Sequence, residues 1–235
     1  MEQPGMEQRG VALVIGAGQG LGAALARAFS TAGLRVALAA RSRQSVEALA
    51  AGLGATAFAC DATRVDDVNR LFAATEASLG APEIVVYNAG LRIRGPLPDL
   101  DPADVQRSLL ANAFGGFLVG QAAARSMIAR KRGSIFFTGA SASIKGFARS
   151  APFAMGKFAL RGLAQSMARE LGPSNIHVAH FVIDGAIAQA GREPPRGPDS
   201  LMDADAIAAN YLHVHRQPRT TWSWEIDLRS WVEPF

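Results

Sequence analysis

The chain holds a single cysteine, Cys60, among its 235 residues, so no disulfide can close within it. One lone thiol fits a reducing compartment, and a cytoplasmic protein is expected. Aromatic residues make up only 7% and charged residues 19%, and the formal net charge is a mild +4. Such a balance does not mark a nucleic-acid binder. The one tight basic cluster, Arg130-Lys131-Arg132, has no interleaved aromatics and reads as the cationic end of a helix. Long apolar runs are lacking as well. The charge-free stretches Gly10–Ala26 and Leu109–Ala124 fall short of the roughly 20 residues that a membrane helix needs. No metal site is expected, because His213 and His215 stand two apart, where helical side chains diverge. No histidine is placed for a serine-type triad. The first ten residues are polar and read as a frayed lead-in without the apolar stretch of a signal peptide.

What the chain does have is small and apolar. Hydrophobic residues reach 49% and glycines number 24, enough for a sizeable core in one α/β domain spanning residues 1–235. Short apolar runs alternate with longer stretches of helical spacing. Strands are predicted at Val11–Ile15, Leu34–Ala40, Ala55–Cys60, Ile84–Tyr87, Gly133–Thr138 and Ile176–Ile183. Helices are predicted at Gly20–Ala32, Ser45–Leu53, Val65–Leu79, Asp101 to about Arg130, and about Phe153 to Leu171. Alternation of this kind, with right-handed crossovers, gives a parallel sheet with helices on both faces. The tail is rich in tryptophan, read as packing or a subunit interface, and Glu225–Arg229 alternates like an added edge strand, for about seven strands in all. The segment 186–201, with its proline-rich stretch from Gly191 to Pro198, is expected to be a mobile loop near a substrate.

The first predicted strand runs into Gly16-Ala-Gly18-Gln19-Gly20-Leu21-Gly22, which opens a helix. Glycines there permit a tight turn and a close backbone approach to a pyrophosphate, and the helix N-terminus offers unpaired N–H groups to the anion. Strand before and helix after make the motif more than a chance glycine cluster. The expected architecture is therefore a Rossmann-like doubly wound parallel sheet. The end of the second strand reads Arg41-Ser42-Arg43 with no carboxylate, which suits the 2′-phosphate of NADP better than the bare ribose of NAD.

The spacing Gly16-x-x-x-Gly20-x-Gly22 resembles the glycine pattern of the short-chain dehydrogenase/reductase family, with Ile15 where that family usually has threonine. The resemblance spans about Val11 to Ile183. It implies that Asp61 and Ala62 line the adenine, and that Asn88-Ala89-Gly90 steadies the sheet and lines the cofactor, with Tyr87 in place of a first asparagine. It also implies that the backbone of Ile183 binds the nicotinamide carboxamide. The family's reaction centre is Asn, Ser, Tyr and Lys, the last two as Tyr-x-x-x-Lys on one helix face. The matching segment here is Phe153-Ala-Met-Gly-Lys157. Lys157 is present, and Phe153 occupies the tyrosine position with no proton to give. Asn112 matches the asparagine. The serine position falls on Ala140, with Ser141 adjacent and Ser143 a weaker candidate. After the last strand the family's Pro-Gly becomes Asp184-Gly185, with Gln189 where a threonine is usual, and Asp184 is read as a turn residue in preference to new chemistry near the site.

These residues predict an intact cofactor site beside a stripped proton-transfer site, and a small-molecule substrate, a carbonyl or related compound. Loss of a general acid costs about 10²–10⁴ in rate. Three readings remain open: an NADP-dependent oxidoreductase with altered proton chemistry, a cofactor-binding pseudoenzyme, and a non-redox enzyme of the same fold. Family members often pair through their helices, and a homodimer or homotetramer is expected on that ground.

Overall fold

A computed structural model describes residues 10–189 and 191–233. The expected frayed lead-in lies, apart from Gly10, outside the described residues. Each apolar run of the chain becomes a strand: β1 (Val11–Ile15), β2 (Arg35–Ala40), β3 (Thr56–Ala59), β4 (Ile84–Tyr87), β5 (Gly133–Thr138) and β6 (Ile176–Asp184). Two short strands follow, β7 (Ala186–Ile187) and β8 (Leu201–Met202), and then β9 (Glu225–Arg229). The main sheet has seven strands in the order β3-β2-β1-β4-β5-β6-β9, all parallel. Strands β1, β4 and β6 are buried along their whole length, as strands covered on both faces must be.

Helices α1 (Leu21–Thr31), α2 (Gln44–Leu53) and α7 (Ala204–His215) pack one face, through residues such as Leu25, Phe29, Val46, Ile207 and Tyr211. Helices α3 (Val65–Leu79), α5 (Gly115–Ile128) and α6 (Ala151–Leu171) pack the other, through Leu71, Phe72, Val119, Met127, Leu160 and Met167. The strand order reverses between β1 and β4, so a crevice opens beyond their carboxyl ends, where sheets of this kind hold ligands. No helix among the described residues is long and apolar enough to cross a membrane.

Two elements differ from the sequence expectation. The long helix predicted from Asp101 is interrupted: α4 (Pro102–Leu109) passes into a π-helical turn at Leu110–Phe114 before α5 begins. The cause lies on β4. Tyr87 is buried and its hydroxyl donates to the carbonyl of Ala111 at 2.5 Å, while a Cβ on Gly115 would stand 2.4 Å from that same hydroxyl. The wide turn thus accommodates the phenol, and Gly115 makes the room. Helix α7 was not foreseen, although Asp203 caps it by accepting from the Asp205 N–H at 2.8 Å and Ile207, Tyr211 and Val214 give it a buried stripe. It is the crossover that lets β9 join β6 in parallel. The expected loop at 186–201 is bracketed by the pairing of β7 with β8. In the tail, Trp222 stacks on His177 with centroids 4.6 Å apart, and Trp231 is exposed.

Candidate active site

The glycine loop turns sharply from β1 into α1. Gly16 has φ +84°, a left-handed conformation, and a Cβ there would lie 2.4 Å from the backbone nitrogen of Ala89. Asn88 closes the same contact by donating from its side-chain amide to the carbonyl of Gly16 at 2.9 Å. Gly22 lets α1 settle on the loop, since a Cβ there would stand 2.7 Å from the Cα of Ala17. Gly18 faces open space, Gln19 is exposed, and Leu21 anchors the helix in the core. No side chain caps α1; the Ala23 N–H donates to the Gly20 carbonyl at 3.1 Å, while those of Leu21 and Gly22 point to the crevice end of the helix. Gln189, on the segment after β7, reaches over the loop, with its Oε1 3.8 Å from the Cβ position of Gly20.

At the end of β2, Arg41, Ser42 and Arg43 are all exposed at the start of α2. Arg43 pairs with Glu47 at 3.1 Å, whereas Arg41 makes no ion pair within 4 Å among the described residues. Asp61 after β3 is fastened by its own turn: Oδ1 accepts from the N–H of Thr63 at 3.0 Å and from its hydroxyl at 2.7 Å. Burial pushes the Asp61 carboxyl up, but those bonds and the charges of Arg41 and Arg64 outweigh it and hold the carboxyl below its ordinary value. Ala62 is buried beside it, and its carbonyl faces Gly115. Ala89 and Gly90 continue the line past β1, and Gly90 lies between Asn112 and Lys157.

The other end of the crevice gathers the expected reaction-centre residues. Lys157 is buried on α6 and its Nζ donates to the carbonyl of Thr138 at 2.7 Å. Burial alone pulls its ammonium down to about 8. Phe153, one turn earlier, presents its ring to Lys157 Nζ at 5.7 Å from the centroid. Asn112 is wholly buried in the π turn. Its amide donates to the carbonyls of Leu91 (2.7 Å) and Ser108 (2.9 Å), and its Oδ1 accepts from the Leu91 N–H at 3.3 Å. That side chain braces the loop after β4. Ser141 opens a short turn after β5 and is half-exposed, while Ser143 is buried with its Oγ accepting from the Ala140 N–H at 3.1 Å. Of the two serines, only Ser141 faces outward. Ile183 sits at the end of β6, nearly buried.

Asp184 corrects the sequence expectation. It is not a turn residue but the last residue of β6, buried, with Oδ2 3.1 Å from Arg229 and 3.8 Å from Lys145. The register of β9 sets Arg229 directly opposite it. Three other residues were missed. Tyr87 fixes the π turn, Thr138 receives the Lys157 proton donor, and Arg92 holds its guanidinium over the Phe153 ring at 5.5 Å. The run Arg92-x-Arg94 after β4 was the visible signal for the last. An open concavity of about 510 Å³ between α1 and α7, lined by Arg27 and Asp205 among others, includes none of these residues.

Comparison with known proteins fits this geometry. The family model for short chain dehydrogenase matches residues 10–190. The 3-oxoacyl-(acyl-carrier-protein) reductase MabA of Mycobacterium tuberculosis is 34% identical over 175 residues, covering 74% of this chain and 68% of that protein. D-threitol dehydrogenase of Mycolicibacterium smegmatis is 31% identical over 193 residues, covering 80% and 74%. The crystal structure of a short-chain dehydrogenase from Rhodopseudomonas palustris superposes with a TM-score of 0.83 at 34% identity, covering 94% of this chain and 98% of that one. A metagenomic short-chain oxidoreductase in complex with NADP gives 0.81 at 28% identity, covering 94% and 96%. On the family model, the relatives and the seven-stranded parallel sheet together, the chain belongs to the short-chain dehydrogenase family.

Proposed function

We propose that this protein binds NADP(H) and acts as an oxidoreductase on a small carbonyl or related compound through a non-standard active site. The observation that carries the reading is Lys157, a buried ammonium near pKa 8 at the head of a crevice whose glycine loop is intact. The named relatives are reductases and dehydrogenases, and one similar structure is an NADP complex.

The residues fit the dinucleotide in pieces. The backbone of Gly16, Gly18, Gln19, Gly20, Leu21 and Gly22 would take the pyrophosphate on an uncapped helix end. Arg41, Ser42 and Arg43 would take the 2′-phosphate, Arg41 foremost because Arg43 is shared with Glu47. Asp61 and Ala62 would line the adenine, Asn88, Ala89 and Gly90 the middle of the crevice, and Ile183 the carboxamide. Bound there, the nicotinamide supplies or accepts a hydride. Lys157 holds the proton at Nζ: with one N–H committed to Thr138, it has others for a ribose hydroxyl or a substrate oxygen. A pKa near 8 matches proton transfer at neutral pH better than that of an ordinary lysine. Ser141 would orient the substrate oxygen, and Asn112 keeps the loop after β4 in place. The segment 186–201, with Gln189 over the glycine loop, would close on the substrate.

Titration of NADPH and NADH against the parent and Arg41→Ala tests the cofactor reading: NADPH is expected to bind more tightly, and the difference to shrink in the variant. A panel of carbonyls, enones and imines then tests activity. Phe153 favours a second reading, a cofactor-binding pseudoenzyme, which predicts NADPH binding without turnover across that panel.

Exposed Phe117 and Ile128 on α5, with Met155 and Phe158 on α6, support the expected homodimer or homotetramer, which sedimentation would measure.

A further inference from the structure

The crevice has a charged rim that the cofactor does not explain. Arg92 and Arg94 stand on the loop after β4, and Arg192 on the segment between β7 and β8. The chain separates these two sites by about a hundred residues, yet the fold brings them within electrostatic reach. Arg92 and Arg94 are exposed, and the partial burial of the Arg92 guanidinium, then the like charges of Arg94 and Arg192, lower it from its ordinary value. Arg192 is tethered by donating from Nη1 to the carbonyl of Ile187 at 3.3 Å.

None of the three has a carboxylate within 4 Å among the described residues, although Asp99 and Glu193 lie on the same two segments. Among the described residues some arginines are paired, Arg27 with Asp205, Arg107 with Asp104 and Arg161 with Glu225, and others such as Arg41 are not, so it is the gathering of three cations at one rim that sets Arg92, Arg94 and Arg192 apart. Gathering unpaired cations costs like-charge repulsion, which an anion from solution would relieve. Arg92 also marks where that anion would lie. Its guanidinium covers the same Phe153 ring that faces Lys157, at 5.5 Å and 5.7 Å. An anionic group on Arg92 would therefore share the Phe153 ring with Lys157, the proposed proton donor.

We propose that the substrate of this site carries a carboxylate close to its reacting carbonyl, that Arg92 receives it, and that Arg94 and Arg192 complete the field around it. The proposal rests on the oxidoreductase reading above. A planar guanidinium matches a carboxylate with two parallel hydrogen bonds, and hydrogen bonds to charged groups of about 1.5–3 kcal/mol convert to roughly 10- to 100-fold in affinity.

The test uses the full chain saturated with NADPH. Acetoacetate and levulinate are compared with their methyl esters, and binding is followed by nicotinamide fluorescence. Each acid is expected to bind at least about tenfold more tightly than its ester. Arg92→Gln and Arg192→Gln should erase that preference while NADPH affinity stays within about twofold of the parent, which also reports that the variants are folded. Equal binding of acid and ester overturns the proposal. So does an Arg92→Gln variant that keeps the preference, or one that loses NADPH affinity in step with acid affinity, since the arginines would then serve the cofactor. If NADPH does not bind the parent at all, the oxidoreductase reading fails separately. The same acid and ester pairs are then titrated calorimetrically against the protein alone, where equal binding overturns the anion site as well.

Discussion

Replacing Phe153 by tyrosine asks whether the phenyl ring stands where a proton donor would work. The ring centroid lies 5.7 Å from Lys157 Nζ, and the lysine, buried and near pKa 8, is mostly charged at neutral pH. A unit charge at that distance, with an effective dielectric of about 20, stabilises a phenolate by about 3 kcal/mol, or about two pK units. Arg92 on the same ring acts in the same direction. A tyrosine here would titrate near 8 rather than near 10, close enough to neutral to serve as a general acid. Phe153→Tyr is therefore expected to raise NADPH-dependent reduction of the best carbonyl by about 10²–10⁴. Its pH–rate profile should fall more steeply on the alkaline side than the parent's, because the phenol and Lys157 both lose protons there. The assay is turnover across the carbonyl panel, with NADPH affinity and melting temperature as controls. A variant that folds and binds NADPH like the parent, yet gains no rate, would refute the placement of Phe153 at the donor position.

Three further outcomes follow from buried groups. Lys157 has a folded pKa near 8, depressed by burial from 10.5, so between those values the unfolded chain holds a proton that the native one has released. Stability from this group rises with pH across that window. Lys157→Met should therefore show a stability advantage over the parent that shrinks by about 2–3 kcal/mol between pH 7 and pH 10, read by denaturant unfolding. His180 is wholly buried, and burial above all pulls it from 6.5 to about 4 despite its 3.0 Å contact with Glu225. The unfolded chain takes up its proton first on acidification, so about 2–3 kcal/mol of stability should be lost as pH falls from 6.5 to 4, and His180→Gln should flatten that loss. Gly115→Ala drives a methyl to 2.4 Å from the Tyr87 hydroxyl and should cost about 1–3 kcal/mol. Adding Tyr87→Phe removes that obstacle, so the double variant should lose less than the two single losses combined, and strict additivity in the unfolding cycle would show that the two residues are not coupled.

The sheet was legible because its strands are short apolar runs, most of them with a glycine or proline at or just before their start. Val11–Ile15, Ile84–Tyr87 and Gly133–Thr138 match the expected bounds residue for residue. The glycine loop was legible for the same reason: its chemistry is local, carried by backbone that must turn within a few residues. What escaped was set across the fold. The π turn answers to Tyr87, some two dozen residues upstream, and no helical periodicity within Leu110–Phe114 announces it. Asp184 read as a turn residue because Arg229 reaches it only once α7 has carried β9 back along β6. Helix α7 has a cap at Asp203 and a buried stripe, but the stripe is buried only because the fold lays the helix against the sheet and α1, so no element was predicted there. Arg92 lies on a loop whose position over Phe153 depends on α6, sixty residues further on, and nothing in its own neighbourhood says so.

A phenyl ring without a hydroxyl at Phe153 need not leave the crevice without electrostatic means. The ring that remains faces both Lys157 and Arg92, so the charge that would have lowered a tyrosine pKa is still aimed at the same place. In a partly water-excluded site, fixed cations directed at developing negative charge contribute more than a mobile donor does in water. A substrate whose carboxylate engages Arg92 would bring its carbonyl to Lys157, whose proton is held less firmly than that of an exposed lysine. Under that arrangement binding and proton delivery come from two separate cations. Substituting Arg92 should then raise KM with little change in kcat, while substituting Lys157 should lower kcat. In a site built around a phenol, both effects would converge on the tyrosine instead.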